Sequence, residues 1–189
     1  MTVKFKKLLP GARLPEKATA GSAAYDLYVA EDTIIRPGRQ IIPLGFAMEM
    51  EDGYEALIDP RSGFSSKGME GYEVAFQLSY GNYFGVITSF CGLKEWEDAL
   101  ENEHVTRKIF VAVQPERFDC DVIEGKIDSD YRKGTGVIIH NRDKNTFLIK
   151  AGTRIAQMTF PKVETVEWEE VDELSESERE GGFGSTGTK

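Results

Sequence analysis

Three clusters of polar residues set beside glycines could do chemistry on a phosphorylated substrate. The first is Asp59-Pro60-Arg61-Ser62-Gly63-Phe64-Ser65-Ser66-Lys67-Gly68. Glycine lets backbone amides approach a phosphate closely, Arg61 can grip one with two hydrogen bonds, and a serine can donate to a bridging oxygen. The GxxxxGK[ST] pattern of a P-loop is absent, so an ordinary polar turn is the plainer reading of this stretch alone. The second is Gly125-Lys126-Ile127-Asp128-Ser129-Asp130-Tyr131-Arg132-Lys133-Gly134. A carboxylate fixed near phosphorus can orient a water and accept its proton, and a tyrosine ring can pack against a sugar where a 2′-hydroxyl would clash. Here the plainer reading is an acidic turn between strands. The third is Gly152-Thr153-Arg154-Ile155-Ala156-Gln157. Arg154 and Gln157 are three apart, so on a flat strand they face opposite ways and at most one meets a given ligand. Gln157 is the better buried hydrogen-bonding candidate, while Arg154 suits a structural ion pair.

A fourth candidate is the tail, Gly181-Gly182-Phe183-Gly184-Ser185-Thr186-Gly187-Thr188-Lys189, glycine-rich around one aromatic. Such a segment cannot offset its ordering entropy alone, so it is expected to move until it closes on something. A frayed terminus is the plainer reading.

The elements that position these clusters read as strands. Val3-Lys4-Phe5, Tyr25–Val29, Thr33–Ile35, Gln40–Leu44 and Tyr54–Ile58 are short apolar runs separated by Pro10-Gly11, Pro37-Gly38 and Asp52-Gly53. Gly136–His140, Thr146–Lys150 and Arg154–Phe160 resume the pattern, which predicts an all-β sandwich, barrel or jelly roll. Between Met69 and Cys120 the character changes. Val74, Phe76, Leu78 and Tyr80 alternate up to Gly81-Asn82 and a second apolar run follows, predicting a hairpin. Leu93, Trp96, Ala99 and Leu100 recur at helical spacing, and Lys108–Val113 reads as a further strand. The expected organisation is a β core over 1–68 and 121–174, an inserted hairpin, helix and strand over 69–120, and a mobile glycine-rich C-terminal arm over 175–189.

At 189 residues the chain has room for one domain with one sizeable embellishment. Two cysteines, Cys91 and Cys120, with no CxxC pair and two histidines, support neither a disulfide framework nor a zinc site. A net charge of -9 argues against a general grip on nucleic acid, although a few arginines and amides can still hold a small anion. No apolar run is long enough to cross a bilayer and the N-terminus lacks a signal-peptide core, so a cytoplasmic protein is expected.

Taken in order, Ala20-Gly21-Ser22-Ala23-Ala24-Tyr25-Asp26-Leu27, Arg61-Ser62-Gly63, Gly125–Tyr131, Gly152–Gln157 and Gly182-Phe183-Gly184-Ser185-Thr186-Gly187 resemble the five motifs of trimeric dUTPases. The resemblance covers roughly residues 1–68 and 121–189 and leaves the insert aside. It implies a jelly-roll-like subunit in a homotrimer with active sites shared between chains, acting on dUTP with magnesium to give dUMP and pyrophosphate. Under it, Asp128 holds the water that attacks the α-phosphorus and Asp26 is a supporting carboxylate behind the site. Two residues apart on a strand share a face, so spacing alone does not choose between Asp128 and Asp130; the family pattern does. Tyr131 excludes ribose, and the hairpin backbone around Ile127 reads uracil and leaves no room for a 5-methyl group. Arg61, Ser62, Gly63 and Gln157 contact the phosphates, which carry Mg2+ together with water, so no direct protein ligand to the metal is expected. The tail closes over a neighbouring subunit's site, stacking Phe183 on uracil and bringing Ser185, Thr186 and Arg179 to the phosphates, with Gly184 in the same turn.

Three features depart from the family pattern. Glu178 stands where the tail usually has arginine, leaving Arg179 four residues before the aromatic. Val122 occupies the place of an asparagine six before the catalytic aspartate. The third is the insert, which has nine acidic and four basic residues and so does not suit nucleic acid. Large insertions are characteristic of phage and viral members, which implies a phage origin and a host-cytoplasm location; a tolerated surface elaboration is the first reading of the insert, and a protein-docking role for Tyr80, Tyr83, Phe84 or the helix is the second. Two alternatives to dUTP hydrolysis stand beside it: a dCTP deaminase of the same fold, and a regulatory protein switched by nucleotide that binds a partner through the insert.

Overall fold

The computed structural model describes residues 1–80, 83–87, 105–111 and 114–176. β1 (Lys4–Lys7), β2 (Tyr25–Tyr28), β3 (Thr33–Ile35), β4 (Gly38–Pro43), β5 (Phe46–Glu49) and β6 (Ala56–Asp59) lead into one short helix, α1 (Ser62–Lys67). The chain continues through β7 (Met69–Tyr80), β8 (Tyr83–Ile87), β9 (Val105–Val111), β10 (Glu116–Phe118), β11 (Cys120–Ile123) and β12 (Gly125–Ile127). β13 (Gly136–Asn141), β14 (Phe147–Ile149) and β15 (Arg154–Thr159) complete it. The expected all-β, jelly-roll-like class is what these elements build.

Strand partners are far apart in sequence, as a jelly roll requires. One sheet runs β12-β6-β15-β2, another β11-β13-β4, a third β10-β7-β14-β3, and β1 pairs β5 alone. Every strand pairing is antiparallel. Alternation does the sorting: along β13 Val137, Ile139 and Asn141 are buried while Gly136, Ile138 and His140 are half-buried on the other face. The inward residues meet in one core around Leu27, Ile35, Leu44, Phe46, Ile139, Phe147, Ile155 and Met158, each almost fully removed from water. Phe118 stacks on Phe147 with ring centroids 4.1 Å apart, tying the end of the expected insert into that core.

β7 crosses from core to decoration without a break. Met69–Gly71 pair with β10, and Tyr72 and Glu73 with β14, inside the core sheet. Phe76–Tyr80 pair with β8 across positions 81 and 82, the hairpin expected there, and Val74–Tyr80 also pair with β9. Core pairing therefore reaches in to Val74 on one side and back to Glu116 on the other, beyond the expected boundaries at 68 and 121. At the far end the strands stop at Thr159, and after Val163 N–H bonds Gly53 C=O at 2.9 Å residues 164–176 run exposed without strand. The helix expected around Leu93–Leu100 and most of the expected arm lie outside the described residues.

Candidate active site

The phosphate-loop candidate is a helix start. Arg61 is its extended N-cap residue, with φ −79° and ψ 142°, and no side chain caps the turn. The first helical bonds run from the Phe64 and Ser65 N–H groups to Arg61 C=O, both at 2.9 Å. The Ser62 and Gly63 amides lie ahead of them, where a helix leaves donors unsatisfied. These two residues, with Arg61, Gln157, Asp26 and Ser22, line one depression of about 480 Å³. Four of the residues singled out as phosphate contacts are thus brought together, with Asp26 behind them.

Asp26 is 8 % exposed and serves two cations. Arg61 Nε donates to Oδ1 at 2.8 Å and Arg154 Nη1 donates to Oδ2 at 3.2 Å. The ion pair expected of Arg154 exists, but the expectation that Arg154 and Gln157 face opposite ways fails. Register slips between Arg154, opposite Tyr28, and Ala156, opposite Leu27, leaving Ile155 as an extra residue. Ile155 and Ala156 are consecutively buried, and the bulge resets the alternation so that Arg154 and Gln157 both come to Asp26, which is Gln157's cross-strand partner.

The second cluster sits at the other end of the same sheet. β12 ends at Ile127, so Asp128 and Asp130 do not take the two positions of one strand expected from their spacing; they belong to a tight turn closed by Tyr131 N–H to Asp128 C=O at 3.1 Å. Arg132 braces that turn by donating to the carbonyls of Ser129 and Tyr131, and Ser129 Oγ donates to Asp52 at 3.3 Å. Tyr131 is 42 % exposed, its hydroxyl donating to Gly134 C=O at 3.3 Å. With Ile127, Ile41, Ile123, Ile138 and Gly125 it lines a depression of about 280 Å³ whose wall is largely isoleucine. That surface suits a flat apolar group. Lys126, on the turn's approach, is bound to Glu55 at 2.7 and 2.9 Å, and this pairing, helped by Glu124 and Asp128, raises its pKa above the ordinary lysine value.

Register separates the two clusters. Ile127 lies opposite Ala56 and Gly125 opposite Ile58, so Asp128 falls beside the start of β6 while Arg61 follows its end. The six residue steps of extended chain from Glu55 to Arg61 span roughly 20 Å, so the two clusters lie at opposite ends of β6. Arg179, Phe183, Gly184, Ser185 and Thr186 lie outside the described residues.

The dUTPase family profile matches residues 11–73 and 119–187, taking in both clusters, Asp26 and the glycine-rich tail. The chain belongs to the dUTPase family. Curated dUTPases cover it from end to end: the deoxyuridine 5'-triphosphate nucleotidohydrolase of Anaplasma marginale is 35% identical over 194 aligned residues, covering 100% of this chain and 99% of that one. That of Rickettsia conorii is 36% identical over 190, covering 98% and 96%. Among solved structures, the Staphylococcus bacteriophage 80alpha dUTPase with dUPNHPP superposes with a TM-score of 0.66 at 25% identity, covering 99% of both chains. The phage phi11 dUTPase, described for its coordination of a structural Mg(II) ion, gives 0.60 at 20% identity, with 92% and 99% covered. Against the dUTPase pattern, Val122 is 6 % exposed and packed in the core, so the asparagine's place carries no polar group. Sequence reasoning did not foresee Arg154 beside Asp26; the bulge that brings it there leaves no mark in residue type.

Proposed function

We propose that this dUTPase hydrolyses dUTP to dUMP and pyrophosphate by attack of an Asp128-held water on the α-phosphorus, in sites completed between copies of the chain. The observation that carries the reading is the pair of half-sites at opposite ends of β6. One end offers Arg61, Ser62, Gly63 and Gln157 to phosphates; the other offers Asp128 beside an isoleucine-walled depression with Tyr131 at its rim. A nucleotide that uses both chemistries takes them from two chains, which supports a homotrimer with shared sites. The uncovered residues Val166, Trp168 and Leu174, with Trp168 93 % exposed, fit burial against a neighbouring copy.

In this mechanism Asp128 aligns the water and accepts its proton while Arg61 and the Ser62 and Gly63 amides hold charge on the phosphate chain. Tyr131 packs beneath deoxyribose and refuses a 2′-hydroxyl. The backbone around Ile127 reads uracil, a task that falls to it the more because Val122 is buried. Arg179, Phe183, Gly184, Ser185 and Thr186 close over the nucleotide and exclude bulk water.

Among the described residues no group of three or more His, Cys, Asp or Glu could hold a metal, and both Asp26 oxygens are engaged by arginines. That donor set fits Mg2+ carried by phosphate oxygens and water, where it would neutralise developing charge. No helix among the described residues is long and apolar enough to cross a membrane, and the reading carries a cytoplasmic location with it. The insert is read first as a surface elaboration, β8 and β9 pairing with the outer part of β7, and second as a docking surface for a protein partner.

The test is pyrophosphate release from dUTP, dTTP, UTP and dCTP with magnesium. Turnover is expected with dUTP alone, and Asp128→Asn should lower it by at least about a hundredfold while nucleotide binding persists. Ammonia release from dCTP, or full activity in Asp128→Asn, would overturn the reading.

A further inference from the structure

We propose that Arg154 is a positioning residue of the phosphate-binding half-site, holding the Arg61 guanidinium in place through the carboxylate they share. The inference rests on the reading of Arg61 as a phosphate contact. Asp26 is buried, and its two oxygens are divided: Oδ1 accepts from Arg61 Nε at 2.8 Å and Oδ2 accepts from Arg154 Nη1 at 3.2 Å.

The division matters because an arginine facing a free carboxylate prefers to engage both oxygens with two parallel N–H bonds. If Oδ2 were vacant, Arg61 could take it with a terminal nitrogen and turn its fork inward, away from the ligand. With Arg154 on Oδ2, Arg61 is held by Nε and its terminal N–H groups are left for the depression it lines. Arg154 itself is not among the residues of that depression, so its influence on a phosphate passes through Asp26. Charge points the same way: two guanidiniums on one carboxylate leave an excess positive charge beside the helix start, which a polyphosphate neutralises.

The bulge at Ile155 is what makes this arrangement reachable. On a regular strand Arg154 would lie on the face opposite Gln157, remote from Asp26; the extra residue turns it back. Arg154 is half exposed, so its place here is not forced by core packing.

The experiment measures binding of α,β-imido-dUTP and, separately, of deoxyuridine to wild type, Arg154→Gln, Arg154→Lys, Arg61→Gln and the double variant Arg61→Gln/Arg154→Gln. Arg154→Gln is expected to weaken the triphosphate analogue about tenfold, to leave deoxyuridine affinity unchanged, and to raise KM far more than it lowers kcat. Arg154→Lys should recover part of the loss. In the Arg61→Gln background the second change should cost little further, because there is no guanidinium left to position. Fully additive losses would mean that Arg154 acts on its own, and equal loss for analogue and nucleoside would mean a general structural role; either overturns the proposal. Should Arg61→Gln bind the analogue as wild type does, the phosphate reading fails and this inference with it.

Discussion

The buried thiol of Cys120 shows how a residue's surroundings decide its chemistry. Burial, with Asp121 and Asp119 adding, pushes its pKa up to about 12 from 9.0. At pH 8 the thiolate is then on the order of one part in ten thousand, and thiolate is the reacting form. In a Cys91→Ser background we expect Cys120 to resist iodoacetamide at pH 8 and to react on unfolding in urea, as mass spectrometry would report; rapid native labelling would contradict the packing described for it. The sign of the stability effect follows. The folded pKa lies above the unfolded one, so this contribution is complete below about pH 9 and is lost as pH rises toward 12, because the unfolded chain sheds its proton first. At the proposed active site Asp128 stands apart from Asp130 by its place, since its carbonyl closes the turn that leads into Tyr131. Residue types foretold that pair of carboxylates, and the family pattern chose between them. What types could not foretell was the Arg61–Asp26–Arg154 contact, which joins residues 35 and 128 positions apart in the chain.

Among elements, short apolar runs bounded by turn residues were readable in advance and elements without that signature were not. β3 and β13 were expected within a residue of where they lie, because each is a short apolar run bounded by turn residues. β5 was passed over: Phe46, Ala47 and Met48 are buried in succession, so it has no period to detect. α1 was read as a loop, since Ser-Gly-Phe-Ser-Ser-Lys has poor helix formers and only Phe64 buried. What ends that helix is Gly68, at φ 71° and ψ −178°, a region open almost only to glycine, where an added Cβ would stand 2.3 Å from Phe118 C=O. Gly68→Ala is expected to cost about 3 kcal/mol and to lower Tm clearly in a thermal scan. Gly53→Ala, at φ 82° with open space around it, should cost less; an equal loss would refute the role given to the Phe118 contact. The extent of β7 sets where the outer hairpin can be removed. Replacing 75–110 by a two-residue turn joins Val74 to its partner Val111 and leaves the core pairs intact, whereas deleting 70–119 strips Val74 and Phe118 from the interior. The first variant should fold and turn over dUTP, and the second should not fold; circular dichroism and the pyrophosphate assay distinguish them.

For the whole molecule, the separation along β6 makes complementation the decisive trial. Asp128→Asn and Arg61→Gln chains are each expected to be inactive, but co-refolded mixtures should regain activity wherever an intact Asp128 from one copy meets an intact Arg61 from the next. No recovery, or a monomer by light scattering, would refute sharing. The same molecule carries a twelve-residue strand whose inner third is fastened to the interior and whose outer part forms the hairpin. At about 3.3 Å per residue it reaches some 40 Å without a break in the strand. The backbone that carries the outer hairpin is therefore the same run that pairs beside Phe118 and Phe147, and it continues back through Gly68 into the short helix capped by Arg61.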